Sequence, residues 1–188
     1  MFTYPYQILE KLLIASMPEL REIDWYLQQD STTDKTTWLF AAPGLFIEFS
    51  IVEGPRDHAH RIQSAIVDVG FHLLTENTKD KGAKIISKEI ADSIGHVKLM
   101  EKLHKTVHGW SAKLSYLTPF AALAGTNQDQ TVITSLTRNG IIPPHRIRKT
   151  MIKSIQRYRC VAYDHSASKM YTVPDPSPAL EIQTDLDT

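Results

Sequence analysis

Residues Arg61–Thr75 read RIQSAIVDVGFHLLT. Ala65, Val67, Val69, Phe71 and Leu73 recur at every second position, opposite Ser64, Asp68 and His72. A period of two is that of an extended chain whose successive side chains point to opposite faces, so this stretch predicts a long strand with one buried face. Gly70 in its middle predicts a bulge or a close backbone contact. Upstream, Leu45, Ile47, Phe49 and Ile51 alternate with Phe46, Glu48, Ser50 and Val52 after Pro43-Gly44, which predicts a second strong strand. Glu53-Gly54-Pro55-Arg56-Asp57 between the two reads as a turn or short loop.

Around this pair the period changes. Residues 5–17 place Tyr6, Leu9, Leu12, Leu13, Ser16 and Met17 at helical spacing, with Glu10 and Lys11 on the other side. Pro5 suits the first turn of such a helix and Pro18 ends it. Ile23, Trp25 and Leu27 then alternate in a strand over Glu22–Gln29, and Asp30–Thr37 is a polar loop. After the charged loop Asn77–Lys84, Ile85–Ala91 predicts a short helix and Ser93–His108 a longer one. The second is expected to be capped by Ser93, to bury Ile94, Val97, Met100, Leu103, His104 and Val107, and to stop at Gly109. Gln130–Arg138 and Ser154–His165 alternate as strands, whereas Pro143-Pro144 between them predicts irregular chain. The order α-β-β-β-α-β-β predicts an α+β fold, a mostly antiparallel sheet with two main helices packed on one face and long loops. Residues 1–172 form one domain, and 173–188, rich in Pro and acids, an extended tail.

Composition bounds the function. At 188 residues, 42% hydrophobic and 22% charged, the chain has the means to bury a sizeable core. Lys+Arg and Asp+Glu balance at 21 each, so no global field steers it to nucleic acid or an anionic membrane. A lone cysteine, Cys160, excludes an intrachain disulfide and a multi-cysteine zinc site. It sits in an apolar-alternating run and is expected to be a small buried side chain. The N-terminus lacks a basic region and its apolar stretch is interrupted by Glu10 and Lys11, unlike a signal peptide. No run approaches the about 18 apolar residues of a membrane span. A protein made in the cytoplasm, and used there or in a particle assembled there, is expected.

Catalytic patterns are sparse. His58-Ala59-His60 and the i,i+4 pair His104 and His108 have metal-like spacing, but Lys105 rather than a glutamate follows His104, so surface or capping histidines are expected and no metal. There is no Gly-x-Ser-x-Gly elbow and no Gly-rich phosphate loop, and Cys160 and His165 share one strand. No catalytic residue, cofactor or enzymatic activity is expected. A basic cluster, Arg138, His145, Arg146, Arg148, Lys149, Lys153, Arg157 and Arg159, reads as a solvated face, a phosphate-backbone contact or a docking patch for an acidic partner. Asp175, Glu181, Asp185 and Asp187 of the tail are a candidate complement to it on a neighbouring subunit. Trp25, Tyr26, Trp38, Trp110 and Phe120 lie in or beside loops, where aromatics anchor subunit contacts or close the ends of a core.

Taken in order, TYPYQILEKLLIASMPELREIDWYLQQ, APGLFIEFSI, IVDVGFHLLTEN, HVKLMEKLHKTVHGWS and RYRCVAYD resemble the successive helix and strand motifs of the tail terminator (tail completion) proteins of tailed phages. The likeness spans roughly residues 4–165 and departs between Gly125 and Ser154 and in the tail. It implies a structural virion protein without cofactor: a ring, hexameric in that family, that caps the tail tube, ends its polymerisation and joins the tail to the head connector. The implied partners are copies of itself, the tail tube protein and the connector or stopper protein, with non-specific contact to DNA in the lumen and none to membrane. Arg138, Arg146, Arg148, Lys149 and Lys153 are then candidate interface or lumen residues. Another neck protein, or a small nucleic-acid-binding or processing protein, is the alternative reading.

Overall fold

The computed structural model describes residues 2–28, 41–57, 62–76, 85–113, 130–148 and 151–164, excluding the side chains of 85–93 and 148. In chain order the elements are α1 (Thr3–Ser16), β1 (Glu22–Trp25), β2 (Gly44–Asp57), β3 (Gln63–Glu76), α2 (Ile85–Val107), β4 (Ala112–Lys113), β5 (Thr131–Ile133), β6 (Thr137–Arg148) and β7 (Met151–Asp164). The sheet runs β1-β2-β3-β7-β5-β4, with β6 also paired to β7. Among the described strands only β1–β2 is parallel; the other pairs are antiparallel. An α+β fold with a mostly antiparallel sheet and two helices is therefore present as expected.

At its centre β3 and β7 pair without a register shift from Gln63↔Asp164 to Glu76↔Met151. Their alternation directs Val67, Val69, Phe71 and Leu73, with Tyr158, Cys160 and Ala162, to one face, joined there by Leu45 and Ile47 of β2. Ile8, Leu9 and Leu13 of α1 and Met100, Leu103 and Val107 of α2 cover that face. Each such side chain taken out of water stabilises the fold by about 2 kcal/mol. The opposite face has a smaller cluster, Phe46, Leu74 and Met151, flanked by Tyr26, Ala42 and Ile147. Val69–Thr75 is consequently buried on both faces.

Several expectations are corrected. Glu53–Asp57 is not a turn: β2 continues through it, pairing Glu53 with Ile66, Arg56 with Ser64 and Asp57 with Gln63. Register shifts at Ile51/Glu53 and Glu53/Arg56 absorb Gly54 and Pro55, which an exposed edge strand tolerates. Pro143-Pro144 likewise lies inside β6, at a register shift between Ile142 and His145. A proline removes a backbone donor, but an edge strand has one side with no ladder to break.

The helices differ in detail. Ile85–Val107 is one continuous helix, so Ser93 is internal and not a cap. Its buried stripe runs through His96, Met100, Leu103 and Val107, while Ile94 and Val97 are 49% and 41% exposed. Gly109 does end it, with φ +77, a conformation that a residue without Cβ adopts at no steric cost. In α1 the buried set is Pro5, Ile8, Leu9 and Leu13, continued by Met17, with Tyr6, Leu12 and Ser16 half-buried. β1 stops at Trp25, leaving Leu27 exposed, and Gln130–Arg138 holds β5 and the start of β6. The loops expected at Asp30–Thr37 and Asn77–Lys84, as well as Trp38, His58, His60, Phe120, Lys149, His165 and the tail 173–188, lie outside the described residues.

Cys160 is buried on the helix-covered face, and burial, helped by Asp68, pushes its thiol up to about 12. The thiolate is the reactive form, so alkylation of the native protein at pH 8 is expected to run about a thousandfold slower than after denaturation. Comparable rates in native buffer, followed by mass spectrometry, would contradict this packing.

Candidate functional site

The face of β7 turned to α2 carries polar side chains where a core strand usually carries apolar ones. Ser154, Gln156 and Tyr158 sit two residues apart, and His96, Met100 and His104 of α2 sit four apart. Two strand residues advance about 6.7 Å and four helix residues about 6 Å, so the two rows stay in step. His96 spans the first step, with Nδ1 2.7 Å from Thr75 Oγ1 and Nε2 2.8 Å from Ser154 Oγ. At the second, Gln156 Nε2 donates to the Met100 carbonyl at 2.7 Å. Tyr158 gives its hydroxyl proton to Gln156 Oε1 at 2.7 Å. The same hydroxyl oxygen lies 2.8 Å from His104 Nδ1 and, its proton already committed, accepts from that nitrogen. Burial holds His96 down at about 4, reinforced by His145. Burial first, then Arg138 and His108, lowers His104 as well, and burial raises Tyr158 to about 12.

Ser154 beside His96 has the spacing of a nucleophile and its base. Ser154 is 0% and His96 1% exposed, so the pair fastens helix to sheet inside the core. The rings of His104 and His108 lie tilted to each other, with centroids 4.7 Å apart, and His104 serves Tyr158. Among the described residues no group of three or more side chains is placed to hold a metal ion.

On the other face of the sheet a second cluster explains Gly70. Glu48 and His72 meet at 2.9 Å across Gly70, where a Cβ would lie 3.2 Å from Glu48 Oε2 and 3.4 Å from His72 Nε2. The strand is not bulged there, since Glu48↔Gly70 lies within continuous register. A close contact, not a bulge, accounts for the glycine. Tyr26 stacks on His72 at 3.7 Å, and Lys153 Nζ donates to the Tyr26 hydroxyl at 3.1 Å.

The basic residues do not form one patch. Arg138 and Arg146 are exposed on β6, which also carries Arg148. Lys153 is only 7% exposed and turned towards Tyr26, so its charge belongs to the buried cluster. Arg159 grips Asp68 with two nitrogens, at 2.8 and 3.1 Å, and Asn139 adds a third bond. These bonds, Arg159 first, hold the Asp68 carboxyl below its usual range. Among the aromatics, Trp25 stacks on Tyr6 at 4.6 Å and tilts against Phe49 at 5.3 Å, closing one end of the core. Trp110 borders a groove of about 270 Å³ with Ile8, Lys11 and Leu12.

What the sequence reading missed is a pair of unlike edges. β1 runs beside β2 only as far as Ile47, whose carbonyl takes the last contact from Tyr26 N–H at 2.9 Å. Beyond it Ser50–Asp57 is exposed, with Ile51 at 50% and Val52 at 45%. Across the sheet β6 leaves Ile141 and Ile142 exposed at 53% and 37%. Among the described residues no strand pairs with the outer side of either segment. The signal lies in the apolar pairs Ile51-Val52 and Ile141-Ile142, but the first is followed after Glu53 by Gly54-Pro55 and the second directly by Pro143-Pro144, which read as breaks. No family model and no curated protein matches the chain.

His96 makes the polar row sensitive to acid. Its folded-state value of about 4 lies below the ordinary 6.5 of the unfolded chain. Its contribution is therefore complete above pH 6.5 and is lost as pH falls towards 4, about 3 kcal/mol in all. Urea unfolding of the wild type and of His96→Gln is expected to diverge in this window, the wild type losing stability more steeply. Parallel pH profiles would contradict the assignment.

Proposed function

We propose that this chain is a structural assembly protein that closes into a ring, with the role of a tail terminator: capping the tail tube, ending its polymerisation and joining the tail to the head connector. One observation carries the ring. Among the described residues, a single sheet presents two different edges that no strand pairs, each with an exposed apolar pair. Open edges invite pairing with another chain. Because the edges differ, their mutual contact is heterologous, and a heterologous contact either closes a ring or runs on as a filament.

The tail-terminator part rests on the quoted motifs, which fall on elements of matching type. APGLFIEFSI enters β2, IVDVGFHLLTEN is most of β3, HVKLMEKLHKTVHGWS is the second half of α2 and RYRCVAYD closes β7. In this reading the partners are identical copies, the tail tube protein and the connector or stopper, in the neck of a virion, and DNA passes through the lumen. Arg138 and Arg146 then face either a neighbour or that lumen.

Sedimentation equilibrium of the full chain, alone and with tube protein, is expected to give a closed species of about six copies. A chain that stays monomeric under both conditions, or that turns over a substrate, would overturn the proposal.

A further inference from the structure

The two edges differ in charge as well as in position, and this selects how copies meet. The exposed part of β2, Ser50–Asp57, holds two acids (Glu53 and Asp57) against one base, Arg56, which pairs with Glu53 at 2.8 Å, a net of −1. β6, Thr137–Arg148, holds three arginines (Arg138, Arg146 and Arg148) and no acid, a net of +3. A symmetric dimer through either edge would oppose like charges, whereas β2 against β6 opposes unlike ones. On β2 the apolar pair lies between Ser50 and Glu53, and on β6 it lies, with Gly140 and Pro143-Pro144, between Asn139 and His145, the arrangement of an apolar centre with a polar rim.

Resting on the ring reading above, we infer that the β2 edge of one copy lies against the β6 edge of the next, with Ile51 and Val52 meeting Ile141 and Ile142 and with Glu53 and Asp57 opposite Arg138 and Arg146. The contact is made through side chains. Register shifts on both strands, Pro55 on one and Pro143-Pro144 on the other, interrupt any long backbone ladder between copies. Those interruptions also blunt the edges against indiscriminate strand addition, so the charge pattern decides the partner.

Two variants test this. In Arg138→Glu/Arg146→Glu both edges are acidic; in Glu53→Arg/Asp57→Arg both are basic. All four side chains are exposed, and circular dichroism is expected to be unchanged. Each variant alone is expected to associate at least about tenfold more weakly than the wild type. Mixed in equal amounts, they restore every contact in alternation and should recover the wild-type mass, beyond a dimer. A second test avoids charge reversal. Val52→Cys and Ile141→Cys proteins, mixed under oxidation, should cross-link to each other and neither to itself.

If the wild type assembles while the mixture stays small or stops at dimers, or while either cysteine variant cross-links to itself through the introduced cysteine, the pairing of these edges is wrong and the ring reading survives. If the wild type itself never assembles, the ring reading fails, and this inference with it.

Discussion

The pairing of β3 with β7 holds the rest of the molecule in place. Fourteen residues of each strand run in unbroken antiparallel register, and over Val69–Thr75 both faces of β3 are buried. A one-residue slip would put the apolar sets of the two strands on opposite faces: with Phe71 kept inside, Tyr158 would turn out and Arg157 and Arg159 into the core. Every other position is measured from this pair. The helices cover the face it makes apolar, β2 hangs from one side of it, and β5 and β6 share the other. Because the central pair is so long, its outer strands extend past their own neighbours, and the open edges follow from that.

The helix-covered face is not uniformly apolar, and its polar part has its own logic. A buried hydroxyl, amide or imidazole costs stability unless each is hydrogen-bonded. Here the similar advance of four helix residues and two strand residues lets His96, Met100 and His104 meet Ser154, Gln156 and Tyr158 in turn. Apolar packing alone would tolerate α2 sliding along β7 by a turn; this row of specific donors and acceptors does not. Its cost is dependence on a neutral His96.

Periodicity in the chain reports faces well and edges badly. The alternation of Ala65 to Leu73 located β3, and Leu45, Ile47 and Phe49 located β2, because one side of each packs on the helices. The stripe of α2 was misplaced by its apolar residues: Ile94 and Val97 resemble core but are exposed, while His96 is buried by partners far away in sequence, Thr75 and Ser154. Such a partnership leaves no local trace. Glu53–Asp57 and Pro143-Pro144 read as breaks because Gly and Pro disfavour strands in general, yet both lie where, among the described residues, an edge strand has no outer strand to pair with. Residue type likewise gathered Lys153 with the surface arginines, although its contact with Tyr26, 127 positions away, takes it out of the surface. The short β4 and β5 carry too few residues to show any period.

The edges are also where the account is most exposed. In the proposed ring their apolar pairs and opposite charges lie against another copy. Hydrogen exchange measured across a range of protein concentrations addresses this directly. As mass rises, amides of residues 48–57 and 137–148 should become protected together, with the β3–β7 amides already protected throughout. Protection that rises instead on the exposed side of α1 or α2, or at neither edge, would contradict it.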